Sequence, residues 1–282
     1  VRLLHFDDDR LGVATGTGVV DLTDLVPATV HPRDRMTALI EGWAHLRPEM
    51  ERALAREPLD RAKLVVRAPL PRPSKIVAAP VNYRLHQHEM GGEAGVYEGA
   101  TVHDIDTYAG FLEAPSSIVG PDGAVELPFP HRRVDYEGEL GVVIGRRAVR
   151  VGRAEALDHV FGYVPLLDIT MRGDEDRSFR KSFDTFTPIG PELVTADEVG
   201  DPSSLDLELR LNGELRQQAR TRDMLRDVPA LIERYSEVMT LEPGDIVATG
   251  TPDGVGALAP GDEIDLSISG VGRLVMRVVA RG

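Results

Sequence analysis

Val134-Asp135-Tyr136-Glu137-Gly138-Glu139-Leu140-Gly141-Val142-Val143-Ile144 decides how this chain is read. The stretch is apolar and β-branched enough to predict a strand, and side chains two apart on a strand share a face. Glu137 and Glu139 then point the same way, with Gly138 on the other face. Two like charges so placed repel, and inside a protein they are costly unless a cation neutralises them. Asp168 closes a second apolar run, Tyr163-Val164-Pro165-Leu166-Leu167. Three carboxylates on adjoining strand ends, in a chain without cysteine, describe an all-oxygen site for a hard divalent ion such as Mg2+ or Mn2+. The competing reading of a bare Glu-x-Glu is a charged strand face turned to water.

Composition sets the bounds. The chain has 282 residues, 42% hydrophobic and 28% charged, as in ordinary globular proteins, and can bury a sizeable core. No apolar run approaches the roughly 18 residues that span a bilayer, and the first residues carry no signal-peptide pattern, so no membrane partner is expected. A net charge of -14 with no basic stripe argues against nucleic acid. Without cysteine there is no disulfide framework or thiolate chemistry, and a reducing cytoplasm is the simplest home. Lysine stands only at Lys63, Lys75 and Lys181; every other cationic side chain, histidine aside, is arginine. A lysine in so biased a chain marks places where a compact, titratable ammonium is wanted.

Short alternating runs at 1–6, 10–14 and 18–22 predict strands, and Met36, Leu39, Ile40 and Trp43 at helical spacing predict a buried helix face after Pro32. Pro48 is expected to start a second helical stretch that Pro58 ends. The proline-rich run 68–73 reads as a stiff linker between a small α+β domain, 1–70, and the main body, 71–282. That body opens on a strand from Lys75 to Val81. Met90 to Gly110 is glycine-rich and aperiodic, the pattern of a lid or binding loop. Later elements are mostly β: a hairpin turning at Asn212-Gly213, and two strands around Gly270-Val271-Gly272. One helix, 228–238, is capped by Asp227.

His86 and Glu89 become hydrogen-bonding neighbours if 83–90 form a helical turn, and a carboxylate-oriented imidazole is a general base. A plain surface pair, or joint metal ligation by His86 and His88, are the other readings. The charged stretch 172–184, with Arg172 and Lys181, is either a solvated loop or a cationic wall for an anionic substrate. Gly250-Thr251-Pro252-Asp253-Gly254 lacks the ending of a P-loop but can offer backbone N–H groups and a hydroxyl to a carboxylate.

In order, these pieces resemble the fumarylacetoacetate hydrolase family. Asn82-Tyr83-Arg84-Leu85-His86-Gln87-His88-Glu89 is similar to its Asn-Tyr-x-x-His-x-x-Glu element, and Arg133 to Gly145 to its metal-binding strand. Asp168-Ile169-Thr170, Lys181 to Pro191 and Thr249 to Gly256 match its third ligand, lysine segment and late loop. The resemblance implies a mainly β fold with some α, a mixed β-sandwich roll behind a small α+β N-terminal domain, and a homodimer. It further implies Mg2+ or Mn2+, with Ca2+ a third candidate, on Glu137, Glu139 and Asp168. His86 oriented by Glu89 would activate water, Lys181 would stabilise negative charge, and Arg172, Thr251, Tyr83 and Gly250 would hold the substrate. The implied reaction is hydrolysis of a C–C bond in an acylpyruvate-like or diketo acid through a metal-bound enolate, in aromatic catabolism. Decarboxylation of an oxaloacetate-type acid, 2-hydroxymuconate-type isomerisation or hydration, non-catalytic oxo-acid binding and, without the resemblance, a carboxylate-paired glycosidase are the alternatives. The chain departs from the family pattern at Glu113, where many relatives carry lysine, at Met171 and Gly173, and in a short 168–181 loop without the usual glutamine.

Overall fold

Gly138–Ile144 is buried at every position, and a strand covered on both faces must lie inside a layered structure. The computed structural model of the chain describes residues 1–91 and 102–282. Its largest sheet has ten strands. Along the sheet run Gly18–Asp21, Arg10–Thr15, Arg2–Phe6, Leu193–Thr195, Val160–Leu167, Gly138–Ile144, Ile246–Ala248, Ile76–Ala78 and Phe111–Glu113, with Val66–Arg67 pairing beside Arg2–Phe6. The strands from residues 1–70 therefore continue the sheet of the main body through the pairing of Arg2 with Val194.

Alternation sorts the side chains into two cores. Leu140, Val142, Tyr163 and Leu167 pack against Leu207, Leu209, Ile264 and Leu266 of a second, five-stranded sheet. On the other face Val143, Val164, Leu166 and Ile246 meet Met36, Leu39, Ile40 and Met50 from the N-terminal helices. A mixed β-sandwich with an α+β leading segment results, as the resemblance implied.

Several expected elements form where the pattern put them. Asn212 and Gly213 take φ of 53° and 82° at the tip of the hairpin Asp206–Leu211 and Glu214–Arg220, the left-handed pair a type I′ turn requires. Asp227 caps Val228–Val238 by accepting from the Ala230 N–H. Glu263–Ile268 and Gly272–Ala280 pair antiparallel around the predicted turn.

Other readings change. The strand expected over 134–144 is two: Val134–Tyr136, in a three-stranded sheet with Thr170–Met171 and Gly256–Ala257, and Gly138–Ile144, with Glu137 at the break. Pro48 does not start a helix; it lies inside Trp43–Ala53, which follows Arg35–Glu41 after Gly42. The helix absorbs the missing N–H because Met50 and Ala53 are buried on its inner side and Trp43 stacks edge-on against Phe161 at 5.1 Å. The proline-rich run is packed rather than exposed: Ala68 and Leu70 join the core under the N-terminal helices. Part of the expected lid, 92–101, lies outside the described residues; beyond it Ile105–Tyr108 forms a single helical turn capped by Asp104.

Gly162 lies opposite Thr195 where Val160–Leu167 meets Leu193–Thr195, and a Cβ there would run into the Val194 carbonyl. Backbone on both sides cannot yield, so Gly162→Ala is expected to cost about 1–3 kcal/mol. Urea unfolding should show a lowered midpoint with an unchanged slope.

Candidate active site

The break at Glu137 is what assembles the site. Gly138 pairs with Leu167, so Glu137 and Asp168 sit at the same level on neighbouring strands, joined by the Asp168 N–H donating to the Glu137 carbonyl at 2.9 Å. Ligand oxygens of Glu137, Glu139 and Asp168 lie within 4.8 Å of one another, and all three residues are buried. Gly138 has no room for a side chain: a Cβ would sit 2.9 Å from Leu209 and 3.0 Å from Leu266.

Cations hold part of this charge. The Lys181 ammonium donates to Glu137 Oε2 at 2.9 Å and to Asp168 Oδ2. Arg172 bridges Glu137 Oε1 and Asp135 Oδ2, each at 2.8 Å. The Gly250 N–H donates to Glu139 Oε2 at 2.7 Å. Burial alone would push Glu137 up, but the charges of Lys181, Arg172 and His86 outweigh it and hold the carboxyl well below its usual range. Burial and the neighbouring Asp168 and Glu137 raise Glu139, against the pull of Lys181. Asp168 is pushed up to about 6, by burial first and by Glu137 next, while Lys181 opposes. Burial would lower Lys181, yet Asp168 and Glu137 keep its ammonium charged. Asp168 Oδ1 is buried with no hydrogen-bond partner. A close-set oxygen trio, short of positive charge and with an orphaned oxygen, fits a hard divalent cation.

The dyad comes from a separate element. In the helix Arg84–Gly91, His86 Nδ1 meets Glu89 Oε2 at 3.1 Å, and Glu89 Oε1 accepts the Gly254 N–H at 2.9 Å. Asn82 fixes the entry to this helix: its side chain donates to the carbonyls of Arg226 and Thr249 and accepts from the Arg226 N–H, all at 2.8 Å. Val81 before it takes φ of 48°, a strained value for a β-branched residue that the Asn82 network over-determines.

His86, Glu137, Glu139, Asp168, Lys181 and Arg172 line one cavity of about 360 Å³. Thr251 also reaches its wall, though its hydroxyl already donates to the Gly138 carbonyl and accepts from Gln217. Tyr83 and Gly250, expected at the substrate, are not among the lining residues. The Tyr83 hydroxyl is buried without a partner, and the Gly250 N–H is committed to Glu139.

Two participants had no place among the expected site residues. Gln217 accepts from the Gly138 N–H and donates to Thr251 and the Pro252 carbonyl; it sits in a strand whose other residues are mostly exposed and polar, so nothing in the sequence marked it. Glu113 is fully buried beside Asp168 and Lys181, accepts from Thr187 at 3.1 Å, and is raised well above the usual range by burial and by Asp168. Its position was visible only as a departure from the family pattern.

Residues 75–279 match the family model described as fumarylacetoacetate (FAA) hydrolase C-terminal. The chain belongs to the fumarylacetoacetate hydrolase family. Within it, the chain is 37% identical to the maleylpyruvate hydrolase of Aquipseudomonas alcaligenes, over 99% of each. It is 42% identical to the oxaloacetate tautomerase YisK of Bacillus subtilis, over 76% of this chain and 72% of that protein. A solved maleylpyruvate hydrolase from Sphingobium sp. SYK-6, in complex with manganese(II) and pyruvate, superposes with a TM-score of 0.87, 42% identity and full coverage of both chains.

Metal affinity should depend on pH with a definite sign. Because burial and neighbouring carboxylates raise Asp168 to about 6 and Glu139 well above its usual range, a cation must displace protons from the trio as the pH falls below about 6. Mn2+ affinity measured by calorimetry is expected to fall about tenfold per pH unit below that point for each proton displaced. Affinity that is flat from pH 7 to 5 would contradict the site.

Proposed function

We propose that this chain hydrolyses the C–C bond of acylpyruvate-like 2,4-dioxo acids with a divalent cation held by Glu137, Glu139 and Asp168. The observation that carries the reading is that the carboxylate trio, Lys181 and the His86–Glu89 dyad line or abut one cavity. Full-length similarity to maleylpyruvate hydrolases, one of them with manganese and pyruvate, supports it.

A bound Mg2+ or Mn2+ supplies Lewis acidity toward the carboxylate and 2-oxo oxygens of the acid. The protein's own groups do the rest. With Nδ1 engaged by Glu89, the His86 Nε2 is the nitrogen left to take a proton from water. The water oxygen bonds to the 4-oxo carbon, the C3–C4 bond breaks, and its electron pair leaves on C3 of the pyruvate unit. Lys181, kept cationic by its carboxylate neighbours, favours that negative charge. Reprotonation of C3 yields pyruvate and a carboxylic acid. Gln217, by holding both the Gly138 N–H and the Thr251 hydroxyl, keeps the metal-binding strand and the late loop in register.

Oxaloacetate tautomerisation is the second reading, favoured by the Bacillus relative; it needs enolisation but no attacking water. His86→Ala is therefore expected to lower hydrolysis of a 2,4-dioxo acid by about 10²–10⁴ while leaving more of any oxaloacetate tautomerisation or decarboxylation. Equal losses in a coupled assay with Mg2+ and with Mn2+ would remove the division of labour.

A homodimeric, cytoplasmic enzyme belongs to the same reading. Phe129, Phe183 and Phe179 form a continuous edge-to-face series at 6.0 and 5.9 Å, with Phe179 62% exposed. A second copy covering this face would also brace the helix that carries Lys181. Phe179→Glu is expected to halve the mass seen by light scattering.

A further inference from the structure

The acidic residues along the cavity wall raise a question of charge. In a chain of net charge -14 the cation would take a 2-oxo acid's first carboxylate, but a second carboxylate on the acyl arm would meet Asp174 and Asp176 on the cavity wall, beside a Glu175 already paired with Arg132 at 2.9 and 3.0 Å. It would be repelled unless an unpaired cation faced it.

Arg177 meets that requirement. Arg172 on this wall is spent on Asp135 and Glu137, and Arg180 donates to the Glu175 and Met171 carbonyls. Among the described residues, no carboxylate lies within ion-pair distance of Arg177; its guanidinium instead stands 3.8 Å over the centre of the Tyr108 ring. Both residues line the cavity. Arg177 opens the helix Arg177–Lys181, so it shares a face with Lys181 four residues on, about 5–6 Å along the axis. Lys181 touches the metal-binding carboxylates, and one helical turn is about the reach of a short acyl arm. Each side of the pair is braced: Asp176 caps the Arg177 helix, and Asp106, in the Tyr108 helix, forms a two-pronged bridge to Arg226 at 2.8 and 2.5 Å. A stacked guanidinium keeps its in-plane N–H groups free for a planar acceptor.

We propose that Arg177, seated on Tyr108, binds the terminal carboxylate of the acyl arm and so selects acylpyruvates that are dicarboxylic acids. The inference rests on the hydrolase reading above and adds its substrate class. Its test compares maleylpyruvate with acetylpyruvate, which lacks the second carboxylate, in the Mn2+-loaded full chain. In Arg177→Met the KM for maleylpyruvate should rise about 10- to 100-fold, the worth of a charged hydrogen-bonded pair, with kcat within about threefold. For acetylpyruvate kcat/KM should stay within about threefold. Tyr108→Leu should move the maleylpyruvate KM in the same direction by less. Equal losses on both substrates, or an unchanged KM for maleylpyruvate, would overturn the role of Arg177 while leaving the hydrolase reading intact. A wild-type chain that hydrolyses neither acid would overturn the hydrolase reading, and this inference with it.

Discussion

A surplus of buried negative charge is the constraint that organises this protein. Glu113, Asp135, Glu137, Glu139 and Asp168 are all buried, and Lys181 and Arg172 pair with members of this group inside the fold, with Arg133 reaching Asp135 from a more exposed position. Buried ions are tolerated when paired and costly when not. The balance is struck by raising Glu113 and Glu139 well above the usual carboxyl range, and by leaving room for one more cation. Lys181 is the one lysine of three that is fully enclosed, at the point where a compact ammonium can touch two carboxylates together.

Backbone geometry makes that crowding achievable. Were Val134 to Ile144 one uninterrupted strand, Glu137 would belong to a single sheet with its neighbours. Breaking the strand at Glu137 lets one sheet deliver Asp135 to Arg172 and the other deliver Glu139 to Gly250. Gly250 takes φ of +91°, and a Cβ there would lie 2.7 Å from the Asn82 Cβ, so the late loop, the dyad's helix and the metal strand converge only through a glycine. The same loop supplies Gly254 to Glu89. One loop thus holds both a carboxylate of the buried trio and the carboxylate that engages His86.

The sequence carried the fold furthest where side-chain period and turn chemistry agree: the Asn212-Gly213 hairpin, the capped helix at 228, the final strand pair. It misled where burial overrode a local signal. Pro48 stands mid-helix because the helix is held by its apolar face rather than by each hydrogen bond, and the run at 68–73, Arg72 apart, is buried because a proline-rich segment can pack as readily as it can span. The trio and the dyad were legible because carboxylates at fixed spacing and a histidine–glutamate pair need specific company to be affordable. Gln217 and Glu113 were not, since a buried amide or acid is defined by partners distant in the chain, Gly138 and Thr251 for one, Thr187 and Asp168 for the other.

Chemistry and selectivity then separate along one short helix. In the proposed reaction Lys181, at its end, belongs to the reacting centre, where the trio and the dyad would serve any 2-oxo acid able to release an enolate. Arg177 at its start belongs to the part of the cavity that meets the acyl arm. Because the two lie on one face of a single turn, a change in the first residues of this helix can alter which acid enters without moving the groups that cleave it. Glu113, buried beside Asp168 and Lys181, couples to that centre instead, through Asp168. A family that includes a maleylpyruvate hydrolase and an oxaloacetate tautomerase is what such a division of positions allows.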